Sequence, residues 1–251
     1  MTVIDLNADL GETVDGVPTA DDDALFALIS SASVACGGHA GDAESMRASV
    51  QRADRHGVAV GAHPSFVDRA GFGRVALEVD PALLRDQVRR QLGDLVEAGG
   101  VLRYVKPHGA LYHSVSADRA IAEAVAAAIA DVSDTLGRAL PVLGLDGAIV
   151  AATEGAGLPF LREAFLDRGY LPDGRLVPRS HPGALLHDAA QVADRAVRLA
   201  TEGLVEAVDG ALIEARAVSL CVHGDSPGAV AMARAVRAAL DDAGVEVRPP
   251  W

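Results

Sequence analysis

Short runs of β-branched and apolar residues alternate along the whole chain with longer amphipathic runs, and this alternation constrains the fold more than any other feature. Candidate strands are Val3–Ala8, Ser33–Cys36, Val58–Gly61, Val101–Val105, Pro141–Leu145, Phe160–Phe165 and Val218–Val222. Between them lie helical stretches: Asp42–His56, Pro81–Ala98, and later ones over about Ala117–Leu136, His187–Glu202 and Pro227–Ala243. In Pro81–Ala98 the apolar residues Leu83, Leu84, Val88, Leu92, Leu95 and Val96 recur at helical spacing. Asp80 reads as its N-cap, Pro81 as its first helical residue, and Gly99-Gly100 as its stop. Strand–helix alternation predicts a parallel sheet covered on both faces. The pattern alone leaves an open doubly wound sheet and a closed barrel both standing. No G-x-G-x-x-G follows the first strand, which removes the usual sign of a dinucleotide-binding sheet. Seven or eight βα units in 251 residues favour a TIM-like (β/α) barrel. No linker, repeat or low-complexity stretch marks a second domain, so residues 1–251 are expected to form one. The longest irregular piece, "DRGYLPDGRLVPRSHP" at Asp167–Pro182, reads as a loop over an active face.

Charge narrows the partners. A formal net charge of -13 leaves no material for a continuous basic stripe, which argues against nucleic acid. It suits a protein whose anionic substrate is held by a few placed cations. No apolar run approaches the roughly 18 residues of a spanning helix, and the N-terminus runs straight into a strand without a signal peptide. Cys36 and Cys221 sit singly at apparent strand ends, which predicts reduced thiols and a cytoplasmic protein. A homo-oligomer is compatible with all of this.

In parallel βα folds the carboxyl ends of the strands form the functional face, and here nearly every strand ends in polar or ionisable residues. The first ends "DLNADLGE", with Asp5, Asn7 and Asp9 in alternation and Glu12 just beyond. The second delivers His39 and Asp42 in "ACGGHAGD", the third His63 in "GAHPS", the fourth Lys106 and His108 in "KPHG". The fifth ends at Asp146, the sixth gives Glu163, Asp167 and Arg168, and the seventh gives His223 and Asp225 in "CVHGD". Taken singly, each has a plainer reading: a half-buried histidine, a turn glycine, or in Asp42 the N-cap of the following helix. Their convergence favours an active site, because burying such groups without partners is costly. Lys106 is the only lysine of the chain. An ammonium on a flexible stem holds a carboxylate or phosphate as a point charge and shifts its pKa as an arginine does not; pairing with Asp9 as a counter-ion is the plainer role, and the two are compatible.

Several familiar chemistries are absent. The chain has no G-x-x-x-x-G-K-[ST] phosphate loop and no C-x-x-C pair. A His/Asp metal site is a lesser reading, because no H-x-x-x-H or H-E-x-x-H occurs in the sequence.

The stretches "DLNADLGE", "SVACGGHAGD", "GAHPSFVDRAGFGR", "VKPHGALYH", "LVPRSHPGAL" and "CVHGDSP" together resemble the LamB/YcsF family, in order and over about Asp5 to Pro227. The resemblance implies a barrel related to glycoside hydrolases and polysaccharide deacetylases. It also implies ATP-dependent hydrolytic opening of 5-oxoproline (pyroglutamate) to glutamate, with ATP as cosubstrate and partner subunits B and C of a 5-oxoprolinase. Ala8 stands where the family usually has Cys and Gly38 where an aromatic is usual, so neither side chain is available here. Opening a lactam needs an activated water, a polarised carbonyl and a protonated leaving nitrogen. On that basis Asp9 or a strand-end histidine is the expected base, His108 or His223 the acid, and Lys106 the stabiliser of developing charge. Arg179 and Ser180 are candidates for the substrate carboxylate and Arg74 for phosphate. Asn7, Glu12, His39, Asp42, His63 and Asp225 complete the expected substrate-binding set. A metal-dependent deacetylase or amidohydrolase and a non-catalytic subunit are the alternatives.

Overall fold

The structure, a computed structural model, describes residues 2–225 and 228–251. In chain order its elements are β1 (Val3–Leu10), β2 (Thr13–Val14), β3 (Val17–Pro18), α1 (Asp22–Phe26), β4 (Ser31–Ala35), α2 (Ala43–His56), β5 (Ala59–His63), α3 (Pro81–Glu97), β6 (Leu102–Val105), α4 (Gly109–Ala117), α5 (Arg119–Leu136), β7 (Val142–Gly144), α6 (Ala148–Gly155), β8 (Phe160–Phe165), α7 (Ala189–Glu202), β9 (Leu204–Glu206), β10 (Leu212–Glu214), β11 (Ser219–Cys221), α8 (Ala229–Asp242) and β12 (Glu246–Val247). One sheet runs β11-β8-β7-β6-β5-β4-β1-β12, and the further pairing of β11 with β1 closes it into an α/β barrel, β12 adding only to the edge of β1. All seven expected strands are present, and of the two architectures the closed one forms. β2–β3 and β9–β10 are separate two-stranded ribbons.

The chain divides into two compact units. The first comprises Met1–Ala8, Asp23–Ser31 and Arg162–Pro250; the second comprises Asp9–Asp22, Ala32–Leu161 and Trp251. In the second unit α2 starts where Asp42 caps it. The Asp42 carboxylate accepts from the backbone N–H of Glu44 and Ser45, while the Ser45 hydroxyl accepts from the Asp42 N–H. Asp80 caps α3 by accepting from the Ala82 and Leu83 N–H groups, with Pro81 at its first position as expected. Leu84, Val88, Leu92 and Leu95 are buried, but Leu83, expected on the same face, is 48% exposed, so the apolar stripe of α3 is narrower than its sequence suggests. The helix expected over Ala117–Leu136 is α5, starting at Arg119 because Asp118 caps it by accepting from the Ala120 and Ile121 N–H groups; Ala117 instead ends α4, which the sequence reading did not include. Gly61 pairs with Tyr104 across β5 and β6, and any Cβ at Gly61 would overlap the Tyr104 ring. That ring in turn stacks on Trp251 at 4.2 Å.

In the first unit α7 packs against α8, and Val192, Ala196, Leu199, Met232, Val236 and Leu240 of the two helices are buried. Asp188, rather than His187, is the N-cap of α7. The expected start of α8 at Pro227, like the Ser226-Pro227 end of its motif, lies outside the described residues. The 167–182 segment is ordered by a buried cation. Arg168 donates to the carbonyls of Val177 (2.8 Å) and Ala184 (3.1 Å), and isolated bridges join Arg168 to Leu185 and Tyr170 to Leu176. Neither cysteine is in a disulfide, and both are buried. Among the described residues no helix is long and apolar enough to cross a membrane.

Candidate active site

The second unit gathers the ends of several strands into one buried group. β1 ends by presenting Asp9; after Gly11, whose positive φ of 71° suits glycine, the chain presents Glu12. His39 follows β4, His63 ends β5, and Lys106 and His108 follow β6. His108 holds the N-cap position of α4, yet its ring makes no capping bond. It is used elsewhere.

Lys106 and Asp9 form an ion pair at 2.7 Å, and both are buried. Asp9 also lies 3.3 Å from His63 Nε2. The His63 ring donates from Nδ1 to the Lys106 carbonyl at 2.7 Å, so Lys106 orients one neighbour with its side chain and another with its backbone. His108 donates from Nε2 to the Phe72 carbonyl at 2.9 Å, and its Nδ1 sits 2.9 Å from His63 Nε2. His39 Nε2 is 3.0 Å from Glu12 Oε1, and the same oxygen is 3.5 Å from His108 Nδ1. The His39 and His108 rings stack at 3.6 Å with their planes 3° apart. Burial, with the neighbouring imidazoles, holds both rings well below the ordinary histidine pKa, so at neutral pH they are uncharged. One atom from each of Glu12, His39, His63 and His108 lies within 4.8 Å of the others, a buried group that could hold a metal ion.

The 68–74 loop covers these rings. Phe72 is a non-glycine residue at φ 53°, and this conformation accompanies the contact of its carbonyl with His108. A Cβ at Gly73 would meet His39 and His108 at 2.8 and 2.9 Å. Arg69 ties the loop down through the Gly37 and Gly41 carbonyls. Sequence reasoning passed over Phe72, Gly73 and Arg69, although all three stand in the quoted "GAHPSFVDRAGFGR"; what it lacked was the fold-back that places a loop residue's carbonyl on a strand-end histidine. Arg74, expected to hold phosphate, is exposed and lies over the Phe72 ring at 4.9 Å. Asp42 is an exposed helix cap outside the buried group.

The remaining expected residues belong to the first unit. Asn7 donates to Ser219 Oγ at 2.7 Å and to Glu163 at 3.4 Å. Beside it the buried Asp5 accepts from the hydroxyls of Ser30, Ser31 and Ser219. His223 pairs with Asp167 at 2.8 Å and stacks on Phe165. Burial pushes the Asp167 carboxyl up, but the charge and hydrogen bond of His223 outweigh it and hold it below the ordinary range. Arg179 and Ser180 are exposed, and Asp225 is half-buried in a turn.

Comparison with known proteins places these motifs. The family model described as LamB/YcsF family matches residues 4–251. The A subunit of 5-oxoprolinase from Kocuria rhizophila is 51% identical, over 99% of each chain, and its counterpart from Cutibacterium acnes is 48% identical, again over 99% of each. The crystal structure of a lactam utilization protein from Thermus thermophilus superposes with a TM-score of 0.90 at 43% identity, covering 98% of this chain and 99% of that one.

Proposed function

The chain belongs to the LamB/YcsF family, and on that premise we propose that it acts as the A subunit of a 5-oxoprolinase. It opens the lactam of 5-oxo-L-proline to L-glutamate by hydrolysis, with ATP as cosubstrate, in a cytoplasmic assembly with subunits B and C. The observation that carries this reading is near-50% identity, over the full length, to relatives bearing that name.

The buried group of the second unit supports it chemically. An unstrained amide is a poor electrophile, and transfer of the ATP γ-phosphoryl group to the lactam oxygen makes C5 attackable by water. Asp9, fixed by Lys106 and next to His63, is the proposed base for that water. Lys106 is placed to face charge developing on oxygen, while His108, whose one ring hydrogen goes to the Phe72 carbonyl, orients the group rather than supplying the proton. His223, paired with Asp167, is the remaining candidate acid. A metal-dependent amidohydrolase working without ATP is the second reading, favoured by the grouping of three imidazoles with Glu12.

The test is glutamate release from 5-oxoproline by the purified chain together with subunits B and C, with and without ATP, and with this chain omitted. Release that needs both the chain and ATP is expected. Release without ATP would select the second reading, and no release from the full mixture would reject both.

A further inference from the structure

Two hydrogen bonds fix how the central imidazoles are protonated. His63 Nδ1 faces the Lys106 carbonyl at 2.7 Å, and His108 Nε2 faces the Phe72 carbonyl at 2.9 Å. A carbonyl oxygen only accepts, so those nitrogens carry the hydrogens. The nitrogens turned toward each other, His63 Nε2 and His108 Nδ1, therefore bring two lone pairs to 2.9 Å when the rings are neutral. Glu12 adds an oxygen 3.5 Å from one of them and 3.0 Å from His39 Nε2. This is a concentration of electron pairs in a buried place.

We propose that Glu12, His39, His63 and His108 form a binding site for one divalent d-block cation of the zinc–cobalt–nickel class. Imidazole nitrogens with one carboxylate oxygen suit that class, whereas magnesium and calcium take oxygen ligands. Metal–nitrogen distances of about 2.0–2.1 Å put neighbouring ligand atoms of a tetrahedral site ~3.4 Å apart. The contacts here, at 2.9, 3.0 and 3.5 Å, bracket that spacing. Metal-binding histidines characteristically donate their other N–H to a carbonyl or carboxylate. His63 and His108 both do so, and Phe72 at φ 53° supplies one of the carbonyls. His39 is held instead by stacking on His108, and its Nδ1 has no hydrogen-bond partner among the described residues. A single proton shared by His63 and His108, with His39 donating from Nε2 to Glu12, is the competing arrangement, and the titration separates the two. The inference rests on neither functional reading, and its test needs no substrate.

The full chain, stripped with a chelator, is titrated with Co²⁺, followed by visible absorption, and with Zn²⁺, followed by calorimetry. One equivalent per chain is expected for each metal, with Zn²⁺ displacing Co²⁺ and millimolar Mg²⁺ failing to compete. His39→Gln and His63→Gln should each weaken Zn²⁺ binding at least 10-fold, while exposed His56→Gln leaves it unchanged. Should either histidine variant fail to fold, the isosteric Glu12→Gln serves, with the same loss expected. Absence of saturable one-to-one binding in folded wild type, the result a shared proton would give, overturns the proposal. So does wild-type affinity in the folded His39→Gln, His63→Gln or Glu12→Gln variant.

Discussion

At the scale of the residue, Lys106 ties the candidate site together. Its position after a short apolar strand is legible in the sequence, and so is the idea of a carboxylate partner. The second job is not legible: its carbonyl sets the hydrogen on His63, a contact between residues 43 apart in sequence. Replacing Lys106 by Met leaves Asp9 buried without its cation, a change that typically costs roughly 3–5 kcal/mol. Urea denaturation of the variant checks this, and a midpoint equal to wild type would show that the pair carries no stability. Lys106→Arg should not restore wild-type stability, because a planar guanidinium is larger and differently directed than an ammonium. The thiol of Cys36, which burial pushes up to about 12, should stay unreactive toward a thiol reagent at pH 8 until the protein unfolds.

At the scale of the element, the helices support the site from behind. Gln91 of α3 is buried and bonds both backbone groups of Ser65, accepting from its N–H at 3.0 Å and donating to its carbonyl at 2.9 Å. It thereby fixes the turn that follows His63. Gln91→Leu keeps the apolar face of α3 but orphans two buried backbone groups, at about 1–3 kcal/mol each before any relaxation. A thermal melt checks it; an unchanged midpoint would mean the turn holds itself. Asp42 offers a contrast. As a cap, its replacement by Ala should cost about 1 kcal/mol and leave turnover intact, whereas a fall in turnover without a change in stability would restore it to the substrate-binding set. The seven barrel strands and most helices were readable from periodicity and capping residues. The short elements were not: β2, β3 and β12 span two residues each, too few for any period to show, and α6 is a single brief run opened by Gly147. The metal-compatible group stood only as a lesser reading for a related reason, since spacing rules seek ligands on one helix and these four come from separate strand ends.

At the scale of the whole molecule, the alternating pattern gave the parallel sheet but not its closure, because closure depends on β11 pairing with β1 across some 214 residues of sequence. Asp5 sits at that seam, bonded to Ser219 and to two serines that precede or begin β4. Burial raises its pKa from 3.8 to about 6, even though the three serine hydroxyls act to lower it. The folded state then keeps a proton that the unfolded chain has already released. The stability this proton contributes is complete below about pH 4 and is lost as pH rises through 6, a span of about 3 kcal/mol at most. Asp5→Asn removes that dependence, so relative to wild type it should gain stability between pH 4 and 8; a difference constant across that range would contradict the assignment. The central claim is that the buried group around Asp9 performs the ring opening. Its most direct test is the turnover number for ATP-dependent glutamate release by the assembly carrying Asp9→Asn, with assembly and melting verified. The account predicts a fall of about 10²–10³-fold, the scale on which acid–base groups contribute. Turnover near wild type in an intact assembly would contradict it.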